Sequence, residues 1–148
     1  MTANMISNAI YSDCIVTSSE LNRRSGQILD TALTTPVTIT RNNDSFALVK
    51  RDLMTSMANE IHFLDSFIEL MSVIRRVDLG QTIETSNGFK WVEEFDSEER
   101  SELVNEVYSA LELAKSTNDW DEVRNVIHEW RESALALTSE ELGEAFGK

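Results

Sequence analysis

Apolar residues recur at spacings of three and four through most of the chain, and they alternate with period two in one short stretch only. From Asp52 to about Val77 the period is helical. Leu53, Met57, Ile61, Leu64, Ile68 and Met71 form one stripe, and Phe63, Phe67, Leu70, Ile74 and Val77 form a second, roughly opposed one. A helix apolar on two sides must be covered on two sides. One side can close a small N-terminal core; the other needs a subunit partner, the C-terminal helices or another protein. Two further helices follow. The first starts near Asp96-Ser97 and runs to about Lys115 on Leu103, Val107, Ala110, Leu111 and Ala114. The second follows Thr117-Asn118-Asp119 and carries Trp120, Val123, Ile127, Trp130, Ala134 and Leu137. So short a connection predicts an antiparallel helical hairpin. Thr138 and Glu141 have capping-box spacing, which predicts a last short turn over Leu142–Phe146.

The first third is patterned differently. Residues 1–12 are polar and aperiodic apart from Met5, Ile6, Ile10 and Tyr11, and read as a frayed start with at most a helical turn. Cys14-Ile15-Val16 is a brief β-like run. Thr17 and Glu20 have capping-box spacing, with Ser19 a competing N-cap. The helix they start carries Leu21, Ile28, Leu29, Ala32 and Leu33 on one side and is weakened in its middle by Gly26. Ser25-Gly26 suggests either close approach of another backbone or a plain weak helix. Pro36 ends the helix. Val37-Thr38-Ile39-Thr40 and Ser45–Val49 then alternate around Arg41-Asn42-Asn43-Asp44, which predicts a hairpin, because asparagine tolerates the left-handed backbone of a tight turn. Gly80, Asn87 and Gly88 mark residues 78–95 as a linker. The expected organisation is a strand–helix–hairpin region over 1–52, a connecting helix over 53–77, the linker, and an acidic helical region over 96–148: an α+β chain.

Charge sharpens this division. The net charge of −13 is wrong for a DNA binder at first sight. Residues 1–52, however, hold five basic and five acidic groups, so residues 53–148 carry the whole excess. Such asymmetry points to two different partners. A neutral half with clustered arginines can still neutralise phosphates, whereas an acidic half repels DNA and favours a basic protein. The plainer explanation is that the carboxylates keep a helical region solvated. Cys14 is the only cysteine, which excludes an intrachain disulfide and suits a reducing compartment. Neither a membrane span nor a secretory leader is visible, so a cytoplasmic location is expected.

Little in the chain suggests catalysis. His62 and His128 are the only histidines, and neither has metal-ligand spacing. Cys14 lacks a cationic neighbourhood to stabilise a thiolate. No phosphate-cradling glycine loop or serine elbow is present. No catalytic residue, cofactor or metal is expected, and an enzyme that uses its carboxylates with a metal is the weakest of the readings weighed.

The N-terminal third is more informative. Ser19, Asn22, Arg23 and Arg24 on a capped helix, with Arg41, Asn42 and Asn43 at a hairpin, suit phosphate and groove contact. Helix N-termini offer free N–H groups, and arginine binds phosphate or a guanine edge in a bidentate manner. The order of motifs resembles the Phd/YefM family of bacterial antitoxins. That pattern is a short strand, Ser-Glu-x-x-Arg at a helix start, an apolar pair, Pro-Val-x-Ile-Thr-Arg, then an apolar strand and a helix. The counterparts are Ser19-Glu20-Leu21-Asn22-Arg23, Ile28-Leu29, Pro36-Val37-Thr38-Ile39-Thr40-Arg41 and Phe46–Val49, within about residues 14–60. Asn22 stands where many members have arginine, Asn42-Asn43 replaces the usual glycine, and Ser25-Gly26 replaces a larger residue and serine.

The resemblance implies an N-terminal half that dimerises and reads palindromic operator DNA, and a following region that neutralises a toxin. Dimerisation also suits the small size of that half. The acidic half then implies a basic toxin, and an RNA-cleaving toxin would be basic in order to hold phosphate. Trp91 and Phe95, beside the linker, are the expected exposed anchors, and Glu93, Glu94, Glu98 and Glu99 the expected carboxylates. Trp120 and Trp130, on the apolar stripe, are expected in the core. The alternative is a helical protein-interaction adaptor whose N-terminal half only dimerises.

Overall fold

The computed structural model describes residues 14–147, so the reading of residues 1–12 lies outside the described part. The chain is α+β. Its strands are β1 (Ile15–Thr17), β2 (Val37–Arg41) and β3 (Asp44–Leu48). Its α-helices are α1 (Ser18–Arg23), α2 (Ser25–Ala32), α3 (Arg51–Asp78), α4 (Ser97–Thr117) and α5 (Asp121–Phe146), with a 3-10 helix over Lys90–Glu94. Two compact units divide inside α3, at Asn59/Glu60.

In the first unit, β1 pairs parallel to β2, and β2 pairs antiparallel to β3, in the order β1-β2-β3. A parallel pair needs a crossover connection, and α1 and α2 supply it. Val16, Val37 and Ile39 share one sheet face through the registers Val16↔Ile39 and Val37↔Leu48. They pack with Ile28 and Ala32 of α2. The turn expected after Arg41 is present: Arg41 faces Asp44, and Asn42 takes the left-handed backbone at φ 54°.

The single helix expected after Thr17 is two helices. Arg24, at φ −136° and ψ 45°, breaks the run. Neither piece shows a reason for Gly26 to be glycine, because a Cβ there would meet nothing within 4 Å. The close-approach reading of Ser25-Gly26 therefore fails, and the weak-helix reading stands. Leu29 and Leu33, expected on the buried side, are 53% and 61% exposed, since only one edge of so short a helix reaches the sheet.

The second unit is built on the stripe Phe63, Leu70, Val73 and Ile74 of α3, which packs with the inner faces of α4 and α5. Phe63 stacks on Trp120 at 5.3 Å between ring centroids. The α4–α5 connection is short because Asn118, at φ 59°, closes α4 with its N–H on Ala114 O at 2.7 Å. The turn expected from Thr138 and Glu141 does not form. The Thr138 hydroxyl instead donates to Ala134 O one turn back, and α5 continues to Phe146.

Residues 78–95, expected as a linker, are part of this core. Gly80, at φ 72°, ends α3 with two backbone bonds, from its own N–H to Val77 O and from Gln81 N–H to Arg76 O. This is the Schellman arrangement that favours glycine. Ile83, Val92 and Phe95 are then buried. Three cations pin the segment. Arg76 grips Glu84 and Thr82 O, Lys90 bridges Ile83 O and Glu93, and Arg100 binds Asp78 and Phe95 O.

Gly26 and Gly80 both have open space for a methyl group but differ in backbone. Gly26→Ala is expected to raise stability by about 0.4–1 kcal/mol by restricting the unfolded chain. Gly80→Ala is expected to lower it by about 1–2 kcal/mol through left-handed strain. Urea denaturation followed by circular dichroism reads both, and equal signs would refute the backbone argument.

Candidate functional site

The strand registers decide which N-terminal residues come together. β1 and β2 run parallel with Thr17 opposite Thr40, so the start of α1 and the hairpin neck lie at the same end of the sheet. Ser18, Ser19, Arg41, Asn42 and Asn43 therefore share one edge. Asn22, Arg23 and Arg24 lie further along α1, whose rise puts Arg23 about 6 Å beyond Ser19. All of these except half-buried Ser18 are exposed. Among the described residues Arg23 and Arg41 make no ion pair, while Arg24 sits 3.6 Å from Glu20.

The start of α1 is not open to an anion. Thr17 caps it, and the Glu20 carboxylate turns back to accept from Thr17 N–H at 2.8 Å. That bond, with help from the Thr17 hydroxyl and Arg24, holds the Glu20 carboxyl below its ordinary value. The N–H groups expected to meet phosphate are thus partly used by a negative charge of the chain's own. This edge offers guanidinium and amide side chains rather than a helix dipole.

The expected anchors of the acidic unit are placed differently from the sequence reading. Phe95 is not exposed: it is 5% accessible and packs edge-on to Trp130 at 5.1 Å. Trp91 is half-buried and leans on Phe89 and Phe95. Both are drawn in because the supposed linker is core. Trp120 is buried as expected; Trp130 is half-buried, its indole N–H donating to Glu106 at 2.7 Å. Glu93 accepts from Lys90 and from Ile83 N–H; the bond from Lys90, and after it the one from Ile83, hold its carboxyl below the ordinary value. Glu99 closes the capping box of Asp96. Only Glu94 and Glu98 remain as exposed carboxylates without a side-chain cation at hand among the described residues.

A more concentrated acidic feature lies on the outer side of the helical hairpin. A shallow groove of about 540 Å³ runs between α4 and α5. Glu102, Glu106, Glu122 and Glu129 rim it, and Ala110, Leu113 and Val126 line its floor. Among the described residues no basic side chain lines it. The signal in the sequence was the repeat of Glu102/Glu106 and Glu122/Glu129 at one- and two-turn spacings. Which two helix faces would meet was not written there.

The structure also gathers the two histidines. His62 and His128 share a hollow of about 270 Å³ with Arg124, Arg131 and Phe63, and Arg124 lies 5.1 Å over the Phe63 ring. Distance in sequence had hidden this pairing. Among the described residues no three His, Cys, Asp or Glu side chains converge as a metal site would require, and no helix is long and apolar enough to cross a membrane. Comparison with protein-family models, curated proteins and solved structures finds no match for this chain.

Glu84 and Glu93 both titrate below their ordinary 4.5, through Arg76 and Lys90 respectively. A lowered folded-state value contributes stability that is present above the unfolded value and lost as pH falls through the folded one. Tryptophan fluorescence reports this unit alone, since Trp91, Trp120 and Trp130 all belong to it. Its unfolding midpoint in urea is expected to fall as pH drops below about 4.5. In the double variant Arg76→Met, Lys90→Met that slope should flatten; an unchanged slope would assign the acid sensitivity elsewhere.

Proposed function

We propose that this chain is an antitoxin-type repressor: its first unit binds operator DNA as a dimer, and its second captures a basic toxin protein. One observation carries the reading. The boundary between the compact units coincides with the boundary in charge. Residues 1–59 hold five basic and five acidic groups, whereas residues 60–148 hold the entire −13. A single binding surface gains nothing from such segregation. Two surfaces for partners of opposite charge are served by it.

In the first unit, Arg41 is the principal DNA contact, with Asn42, Asn43 and Ser19 beside it and Asn22, Arg23 and Arg24 along α1. Arg41 ends a strand whose last pair to β3 is Arg41↔Asp44 and whose last pair to β1 is Thr40↔Thr17, so the sheet sets its backbone position. In the second unit, the toxin-facing surface is the groove rimmed by Glu102, Glu106, Glu122 and Glu129. The exposed carboxylates Glu94 and Glu98 and half-buried Trp91 are further toxin contacts in this reading. An RNA-cleaving toxin, basic where it holds phosphate, suits this surface. The resemblance of residues 14–60 to Phd/YefM antitoxins supports the assignment of the first unit.

The adaptor reading keeps one observation in its favour, the Glu20 carboxylate at the start of α1, which weakens anion binding there. DNA binding separates the two. The chain is expected to retard DNA from upstream of its own coding sequence, with log affinity falling linearly against log salt. Arg41→Ala should weaken binding by at least about tenfold, the loss of one bidentate contact. No retardation at low salt would leave the adaptor. For the second unit, the four glutamates changed together to glutamine should weaken capture of a basic protein encoded by the adjacent reading frame. Undiminished capture would move the toxin surface off the groove.

A further inference from the structure

One helix of the second unit sorts its charges to opposite sides. On α5, Glu122 and Glu129 rim the groove shared with α4, whereas Arg124, Ile127, His128 and Arg131 line the hollow shared with α3. At about 100° per residue the two sets lie on roughly opposite faces of the helix. To the same hollow α3 brings His62, Phe63 and Ser66, and the segment before the 3-10 helix brings Phe89. Phe63, already stacked on Trp120, carries the Arg124 guanidinium 5.1 Å over its ring, a contact that holds the cation in place. Among the described residues no carboxylate lines the hollow, although residues 60–148 carry a net charge of −13.

We propose that this hollow binds a phosphate monoester with a small ring-bearing body, of mononucleotide size. Three observations select that ligand. First, two guanidiniums and two imidazoles share the hollow, and a guanidinium binds phosphate through two parallel N–H bonds. Arg131 makes no ion pair among the described residues, and Arg124 is paired with Asp121 at 2.6 Å, both side chains being exposed. An exposed pair of that kind is weak, so an incoming phosphate displaces the carboxylate. Second, the sign of the site excludes a cation. A divalent metal would find two imidazoles, no carboxylate beside them, and two arginines that repel it. Third, half-buried Phe89 and Ile127 set an apolar wall beside the cations, where a ring packs. The volume of about 270 Å³ lies just below the ~300–1,000 Å³ of sites for drug-sized ligands.

Size and charge separate this ligand from a nucleic acid. A polyanion laid across the hollow would continue over the surface of a strongly acidic unit, and each further phosphate adds repulsion. A single phosphate meets mainly the local cations, because exposed charges beyond about 8 Å are largely screened at physiological salt. The hollow shares no residue with the glutamate groove or with the edge around Arg41, so it stands independently of the toxin and DNA readings.

Isothermal titration calorimetry of the full-length chain with adenosine monophosphate, phenyl phosphate, inorganic phosphate and adenosine tests the proposal. The nucleotide is expected to bind at least about tenfold more tightly than adenosine, the gain of a charge-assisted contact. It should also bind more tightly than inorganic phosphate, because the ring adds apolar contact. Arg131→Gln should weaken it at least about tenfold, and His62→Gln with His128→Gln by a similar factor. Arg75→Gln, which removes an exposed α3 cation outside the hollow, should leave binding unchanged. All the substituted side chains are exposed, so tryptophan fluorescence should report an intact unit in each variant. Failure of both monoesters to bind at about millimolar concentration, the scale of a weak specific site, would overturn the proposal. So would adenosine or inorganic phosphate binding as tightly as the nucleotide, or an equal loss with Arg75→Gln. A single-stranded oligonucleotide that bound more tightly than the mononucleotide, and lost that affinity in Arg131→Gln, would overturn it in favour of a nucleic-acid site.

Discussion

Water cannot be left against both sides of α3. Its 28 residues carry more apolar side chains than one packing face can hold, and the chain answers by dividing them. Phe63, Leu70, Val73 and Ile74 meet α4 and α5 and become the base of the C-terminal core. Burial of each such side chain is worth about 1.5–3 kcal/mol, which is why this face governs where the helical hairpin sits. The opposite demand, to cover Ile61 and Ile68, is not met among the described residues. The structure thus contains both a satisfied constraint and an unsatisfied one on a single helix.

The C-terminal unit shows how charge is used once burial has set the frame. The segment between α3 and the 3-10 helix has few apolar residues of its own, and Ile83 alone anchors its middle. Arg76, Lys90 and Arg100 fasten the rest, and each spends part of its hydrogen-bonding capacity on backbone carbonyls. Exposed ion pairs alone contribute little. Pairs that also satisfy backbone groups of a segment lying over a core do more, because an unpaired carbonyl there would be costly. Most of the remaining carboxylates are unneutralised, and four of them converge on the outer groove of the hairpin.

The N-terminal unit relies on pairing rather than volume. Among the described residues its core is five buried side chains around three short strands. Parallel alignment of β1 with β2 is its decisive feature, because it brings the start of α1 and the hairpin neck to one end of the sheet. Arg41, Asn42 and Asn43 owe their common position to that alignment and to the left-handed backbone of Asn42. The proposed division of labour, DNA at this edge and a cationic protein at the groove, follows the division of charge.

Local pattern sufficed for much of this. The Thr17/Glu20 capping box, the hairpin at Asn42-Asn43, the start of α4 at Asp96 and the left-handed end at Asn118 depend on residues within a turn of one another, so they are legible in order along the chain. The same holds for the period of α3 and for the charge imbalance. Reading failed where a distant element decided the outcome. Residues 78–95 look like a linker by composition, yet Ile83, Val92 and Phe95 are buried because a core assembled from α3, α4 and α5 is there to receive them. Arg24 interrupts a helix that the spacing of Leu21 and Ile28 would allow to continue. The glutamate-rimmed groove and the His62–His128 hollow exist only because helix faces far apart in sequence are brought together. Periodicity specifies that a face is apolar; which partner covers it, and which charges then become neighbours, is set by long-range packing.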